Sequence, residues 1–201
     1  MTAAPAVSEH LLTLRGSATK DRLSRVALEL FAEKGVDGTT VRDIAQAAGV
    51  AEGSLYRHFD GKDALAWELY ADAFAALANE LDRLQRAQQS LRAKLQAMIG
   101  HVCLFFDRDR PLFSYLLLTQ HAQLRRVTAD MPHPMTVLRR VLAAAMRRGE
   151  ARRIDADLAA SMVMGLTLQV AVDIVYGRLE GRLTSRSEAL VDAACRLLEP
   201  A

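Results

Sequence analysis

The chain has 201 residues, enough for a buried core in one large or two small domains. Half of them are hydrophobic (51%), a quarter charged (25%) and only 5% aromatic, which favours helices over sheet. A formal net charge of +2 excludes a strong global field toward polyanions, and Cys103 and Cys195, without any CxxC, exclude a disulfide scaffold and fit a reducing cytosol.

Residues 1–16 are small and polar around Leu11, Leu12 and Leu14 and are expected to form a flexible arm. MTAAPAVSEH lacks the basic flank and long apolar stretch of a signal peptide. Arg15 is either a minor-groove contact or a solvated terminal arginine. Leu23, Val26, Ala27, Leu30 and Phe31 recur at helical steps and predict a first helix from about Ala18 to Lys34, ended by Gly35.

The most informative stretch is TTVRDIAQAAGVAEGSLYRHFDGK, residues 39–62. Thr40 and Asp43 have the spacing of a capping box. Ile44 and Ala48 face a core, Ala45 is small where a second helix crosses, and Gly49 offers the positive φ that ends a helix. Val50, Leu55 and Phe59 then restart the apolar pattern. Two short helices at 41–48 and about 52–58, joined by a tight glycine turn, form a helix-turn-helix whose second helix enters a DNA major groove. Glu52, Gly53, Ser54, Tyr56, Arg57 and His58 are expected on its outer face, with Thr40 and Lys62 at neighbouring helix starts, converging on phosphates. Positive charge acts locally through Arg42, Arg57 and Lys62, so nonspecific DNA affinity is expected to be modest.

FAEKG at 31–35, TTVRDIAQAAGVAEGSLYRHF at 39–59 and GKDAL at 61–65 resemble the N-terminal domain of TetR-type transcriptional regulators, at that family's relative spacings. The resemblance covers about a third of the chain. It implies an all-α fold and a homodimer with a small-molecule pocket in its C-terminal part, usually a repressor released by its ligand. It also implies that Thr40, Tyr56, His58 and Lys62 grip the DNA backbone, and that Arg42, Glu52, Gly53 and Ser54 reach bases. Ala51 departs from a capping Ser or Thr, weakening that helix start by roughly 1 kcal/mol. Glu52 either accepts from a cytosine amino group or is solvated or paired within the protein.

A fourth helix is expected from Lys62 to about Arg86, a fifth after Ser90, a sixth from Pro111, a seventh after MPHP at 131–134, an eighth capped by Asp155 and a ninth opened by Thr184 or Ser185. LTLQVAV at 166–172 alternates like a strand, yet it has no partner strand in a helical chain. A helix apolar on nearly all sides is expected there, one face lining a cavity and the other meeting a partner subunit. The domain reading is an arm at 1–16, a DNA-binding domain at 17–77 with its motif at 40–59, and an effector-binding and dimerisation domain at 78–201. The operator is expected to be an inverted repeat in double-stranded DNA.

Candidate effector-lining residues are Phe105, Phe113, Leu117, His121, Met164 and Leu168; core packing is the alternative for each of them. His101 and His121 read as core or rim residues before they read as anchors, and Cys103 as inert before it reads as a sensor. No catalytic residue, metal site, cofactor or membrane span is expected; phosphate-cradling glycine loops, GxSxG and HExxH are lacking, and Ser161, Thr167, Gln169 and Asp173 interrupt the longest apolar run. The expected function is a cytoplasmic, sequence-specific DNA-binding regulator, with a ligand-independent or activating regulator, or a helical protein-interaction module, as alternatives.

Overall fold

The computed structural model describes residues 17–123, 126–128 and 131–200, with the side chains of 118 and 120–123 outside it; the N-terminal arm and Arg15 lie outside the described residues. Among the described residues the fold is all-α, with nine helices: α1 Ala18–Lys34, α2 Val41–Ala47, α3 Glu52–Tyr56, α4 Lys62–Arg86, α5 Leu91–Arg108, α6 Arg110–Gln123, α7 Pro134–Arg147, α8 Ala156–Val175 and α9 Ser187–Leu198. The alternating LTLQVAV segment is helical within α8, because no neighbouring strand exists to take its backbone hydrogen bonds.

Packing divides the chain into two units. The first comprises residues up to Phe74 together with Asp109–Met131, so α6 belongs with the N-terminal helices; the second comprises Ala75–Arg108 and Pro132–Ala201. In the first unit, Leu23, Ala27 and Phe31 of α1 are buried with Ile44, Leu55, Leu65, Leu69 and Tyr115. Phe31 stacks on Tyr115 at 5.8 Å between centroids, and the Tyr115 hydroxyl donates to the Ala66 carbonyl. That bond lets a phenol sit in the core without an unsatisfied donor. Lys20 of α1 pairs with Glu68 of α4 while its ammonium lies 5.2 Å from the ring centroid of Phe59, in the turn after α3.

The second unit is held by side chains that reach between helices. Asp82 on α4 accepts from Gln85, Arg86 and Arg140 of α7. The Lys94 ammonium donates to the Gln85 carbonyl at 2.6 Å. Asp107, at the end of α5, accepts from the Leu183 and Thr184 backbone amides at 2.9 and 3.0 Å and from the Thr184 hydroxyl at 2.5 Å. Burial opposes its charge, but these hydrogen bonds outweigh burial and hold the carboxyl below its ordinary range. Asp107 thereby fixes the turn Thr184–Arg186 that leads into α9.

α8 is the one described helix long and apolar enough to cross a bilayer, with mean hydropathy 1.8, and 33% of that window is buried. Ala159, Val163, Thr167, Ala171 and Ile174 are turned into the unit. Leu158, Met162 and Tyr176 are 49%, 41% and 61% exposed along another side. The helix ends at Val175, because Gly177 takes a φ of 70° two residues on.

Two histidines are expected to make this unit acid-sensitive. His133 caps α7, its Nδ1 accepting from the Met135 amide at 3.2 Å. His101 buries Nε2 without a hydrogen-bond partner among the described residues. Burial holds both below the ordinary value of 6.5, so the unfolded chain binds more protons as pH falls. Stability is therefore full above 6.5 and is lost as pH drops through 6.5 toward the folded-state values. Urea midpoints measured between pH 7.5 and 5 are expected to fall with acid. A His101→Gln, His133→Asn double variant, which keeps a capping acceptor at 133, is expected to flatten that dependence.

Candidate nucleic-acid interface

The reading unit is built by three local devices. Thr39 is buried and its hydroxyl donates to the Gly35 carbonyl at 2.8 Å, closing the link between α1 and α2. Gly38 is obligatory there, since a Cβ would strike the Lys34 carbonyl oxygen. Thr40 and Asp43 form the expected capping box: the Asp43 amide donates to Thr40 Oγ1 at 3.1 Å, and Asp43 Oδ2 accepts from the Thr40 amide at 2.9 Å and hydroxyl at 2.7 Å. Those bonds from Thr40 hold the Asp43 carboxyl below its ordinary value. Gly49, at φ 63°, then turns the chain, with its amide on Gln46 and the Val50 amide on Ala45.

α3 starts at Ala51 without a side-chain cap, as its sequence implies, and seats Leu55 and Phe59 in the core. Arg42, Glu52, Gly53, Tyr56 and Arg57 are exposed, Tyr56 at 61%; His58 and Lys62 are half-buried. His58 meets the Phe59 ring edge-on at 6.4 Å, and Lys62 opens α4. Ser54 departs from its expected outward position. It is 7% exposed, and its hydroxyl accepts from Arg57 Nη2 at 2.9 Å. The reason is angular: on so short a helix Ser54 shares the inward side with its neighbour Leu55, both of them buried. Thr40 likewise has its hydroxyl engaged in the capping box, so a phosphate contact there has to share or replace the bond to Asp43.

The expected effector residues are dispersed. Phe113 (5% exposed) and half-buried Leu117 sit on α6 in the first unit, whereas Phe105 (0%), Met164 and Leu168 are in the second. The His121 side chain lies outside the described residues. The second unit contains a cavity of about 20 Å³ lined by Leu81, Leu95, Met98, Ile99, Val102, Leu138, Val163, Met164 and Thr167; Met164 is the one expected residue that borders it. The others were missed because leucine, isoleucine and valine at helical spacing look the same in sequence whether they border a cavity or fill a core. Cys103 is fully buried and its thiol is pushed up to about 12, chiefly by burial, so it stays protonated and unreactive.

Residues 23–69 match the family model described as bacterial regulatory proteins, tetR family. Among curated relatives, the chain is 31% identical over 131 residues to the HTH-type transcriptional repressor KstR2 of Mycobacterium tuberculosis, covering 57% of this chain and 65% of the relative. It is 43% identical over 116 residues to KstR2 of Mycolicibacterium smegmatis (58% and 54%) and 39% over 83 residues to that of Rhodococcus jostii (41% and 41%). The matches thus span less than two thirds of these relatives. The fold is similar to that of the fatty acid degradation regulator FadR of Bacillus halodurans, with a TM-score of 0.80 at 19% identity over 90% of this chain and 96% of that one. FadR of Bacillus subtilis, solved in complex with stearoyl-CoA, gives 0.72 at 20% identity over 87% and 96%. The capped helix-turn-helix lies inside the segment that matches the tetR family model, and the all-helical fold around it is similar to that of these regulators.

Proposed function

We propose that this protein is a sequence-specific DNA-binding transcriptional repressor, acting in the cytoplasm as a homodimer on an inverted-repeat operator and released by a small, largely apolar ligand. The observation that carries the reading is the exposed face of α2 and α3, where Arg42, Glu52, Gly53, Tyr56 and Arg57 stand beside His58 and Lys62 on a capped, closely packed scaffold. Tyr56, His58, Lys62 and Thr40 take phosphates, which fix register, while Arg42, Glu52 and Gly53 approach base edges. Residues 17–77 read DNA and residues 78–201 sense ligand and dimerise.

The exposed side of α8 supports the dimer. Leu158, Met162, Gly165 and Gln169 recur at three- to four-residue steps with Tyr176 seven residues further on, and on α9 Ala189 is exposed and Ala193 half-buried. Gly165 has open space where a Cβ would stand, which suits a close helix crossing. Burying this apolar stripe against its own copy removes a surface that a monomer would expose to water.

The cavity beside Met164 supports an apolar effector. Eight of its nine lining residues are Leu, Ile, Val or Met, a soft wall without a charged group. At about 20 Å³ it admits no ligand as it stands, so a bound chain wedges α8 and α7 away from α4 and α5. A fatty acyl thioester, the class seen in the stearoyl-CoA complex of the Bacillus subtilis neighbour, is the ligand we assign to it.

Footprinting after selection from genomic DNA is expected to show a two-fold site with half-sites about one helical turn or slightly more apart. Stearoyl-CoA is expected to release the protein from it; a single asymmetric half-site, or protection unaffected by every acyl-CoA tried, contradicts the respective part. Lys62→Ala is expected to weaken binding to cognate and unrelated duplexes alike and to lower the salt slope by about one unit. Sedimentation at micromolar concentration is expected to give a dimer, and Met162→Arg a monomer, since an arginine at a self-facing apolar stripe is left buried without a partner.

A further inference from the structure

We propose that Ser54 is a positioning residue and that the guanidinium of Arg57, held by it, reads a guanine in each half-site. The inference rests on the DNA-binding reading above. Side chains of a helix lean toward its N-terminus, so a residue covers surface about one turn before its own Cα. Arg57 stands at the C-cap of α3, and its Nη2 donates at 2.9 Å to Ser54 Oγ, three residues earlier. The hydrogen bond therefore draws the guanidinium back over the first turn of the helix, the part of a reading helix that meets base edges. In that turn Gly53 has open space where a side chain would begin, and Glu52 is exposed. Ser54 itself is 7% exposed, so it approaches DNA through Arg57 and not directly.

One Nη2 hydrogen is used by Ser54, which leaves the other guanidinium hydrogens for O6 and N7 of guanine, the pair that an arginine fork fits. Holding a long side chain in one rotamer before binding reduces the entropy lost at the contact. A free arginine at the same place reaches phosphates of any sequence. The Ser54–Arg57 bond converts a general cation into a directed reader.

The test is a double-mutant cycle of Ser54→Ala and Arg57→Ala, read by titration on the selected operator, on operators substituted base by base, and on unrelated duplex. Arg57→Ala is expected to abolish a guanine preference at one position per half-site. Ser54→Ala is expected to reduce that preference about threefold to tenfold, with no further effect in the Arg57→Ala background. Arg57→Lys, which keeps the charge but lacks the fork, is expected to retain nonspecific binding and lose the guanine preference. Ser54→Thr, which keeps the hydroxyl, is expected to restore it. Thermal melts of each variant separate loss of the reading unit from loss of reading. Equal effects of Ser54→Ala with and without Arg57, or a uniform loss with a lower salt slope for Arg57→Ala, overturn the proposal while leaving DNA binding intact. Failure of the unaltered protein to select any duplex overturns the DNA-binding reading beneath it.

Discussion

The close crossing of α2 and α3 over Gly49 is the constraint on which the reading surface depends. Ala45 and Leu55 are 1% and 0% exposed, and the Val50 amide bonds back to the Ala45 carbonyl, so the turn has no slack. A side chain larger than alanine at 45 pushes α3 outward, and every exposed residue on it shifts together. α3 is too short to be stable by itself, and Ala51 gives it no cap. Its existence depends on Leu55 and Phe59 being buried and on its packing against α2. The α2 capping box and the Thr39 bond to Gly35 fix the other wall of that seat.

Charge is used sparingly. With a net charge of +2, the proposed attraction to DNA rests on a few cations at fixed places and not on a global field. Several of the remaining cations serve the fold: Lys20 bridges Glu68 and the Phe59 ring, Arg140 meets Asp82, and Arg92 meets Asp192 at 2.6 Å. Exposed pairs of this kind contribute little each, about 0–1 kcal/mol. The hydrogen bonds onto Asp107 differ, because that carboxylate is 2% exposed and its acceptor capacity is used by two amides and a hydroxyl. It sets where α9 begins, and with it one edge of the surface assigned to the partner subunit.

The second unit, to which ligand sensing is assigned by proposal, follows another logic. Its cavity is small, about 20 Å³, and the residues around it are methyl-rich and carry no charge. Filling such a place gains apolar contact and costs helix separation, so ligand binding and helix displacement are one event. That coupling is what a ligand-released regulator requires, since a ligand shifts only an equilibrium between states that differ in their affinity for it.

The sequence by itself determined the helix-turn-helix, its capping box, the glycine turn and the all-α class. These are local: a cap needs residues three apart, a turn needs a positive φ, and helical periodicity repeats within a few turns. It also placed α8 correctly as a helix despite the alternation at 166–172. The tertiary structure alone decided that Ser54 turns inward to hold Arg57, that α6 packs with the N-terminal helices, and that Val163, Met98 and Leu138 border a cavity while Phe105 is core. Each of these depends on which helix faces are buried against neighbours, and for α6 and the cavity those neighbours are far away in sequence. Apolar residues look alike in a sequence whether they fill a core or border a gap, and a serine beside a buried leucine carries no mark of which way it points.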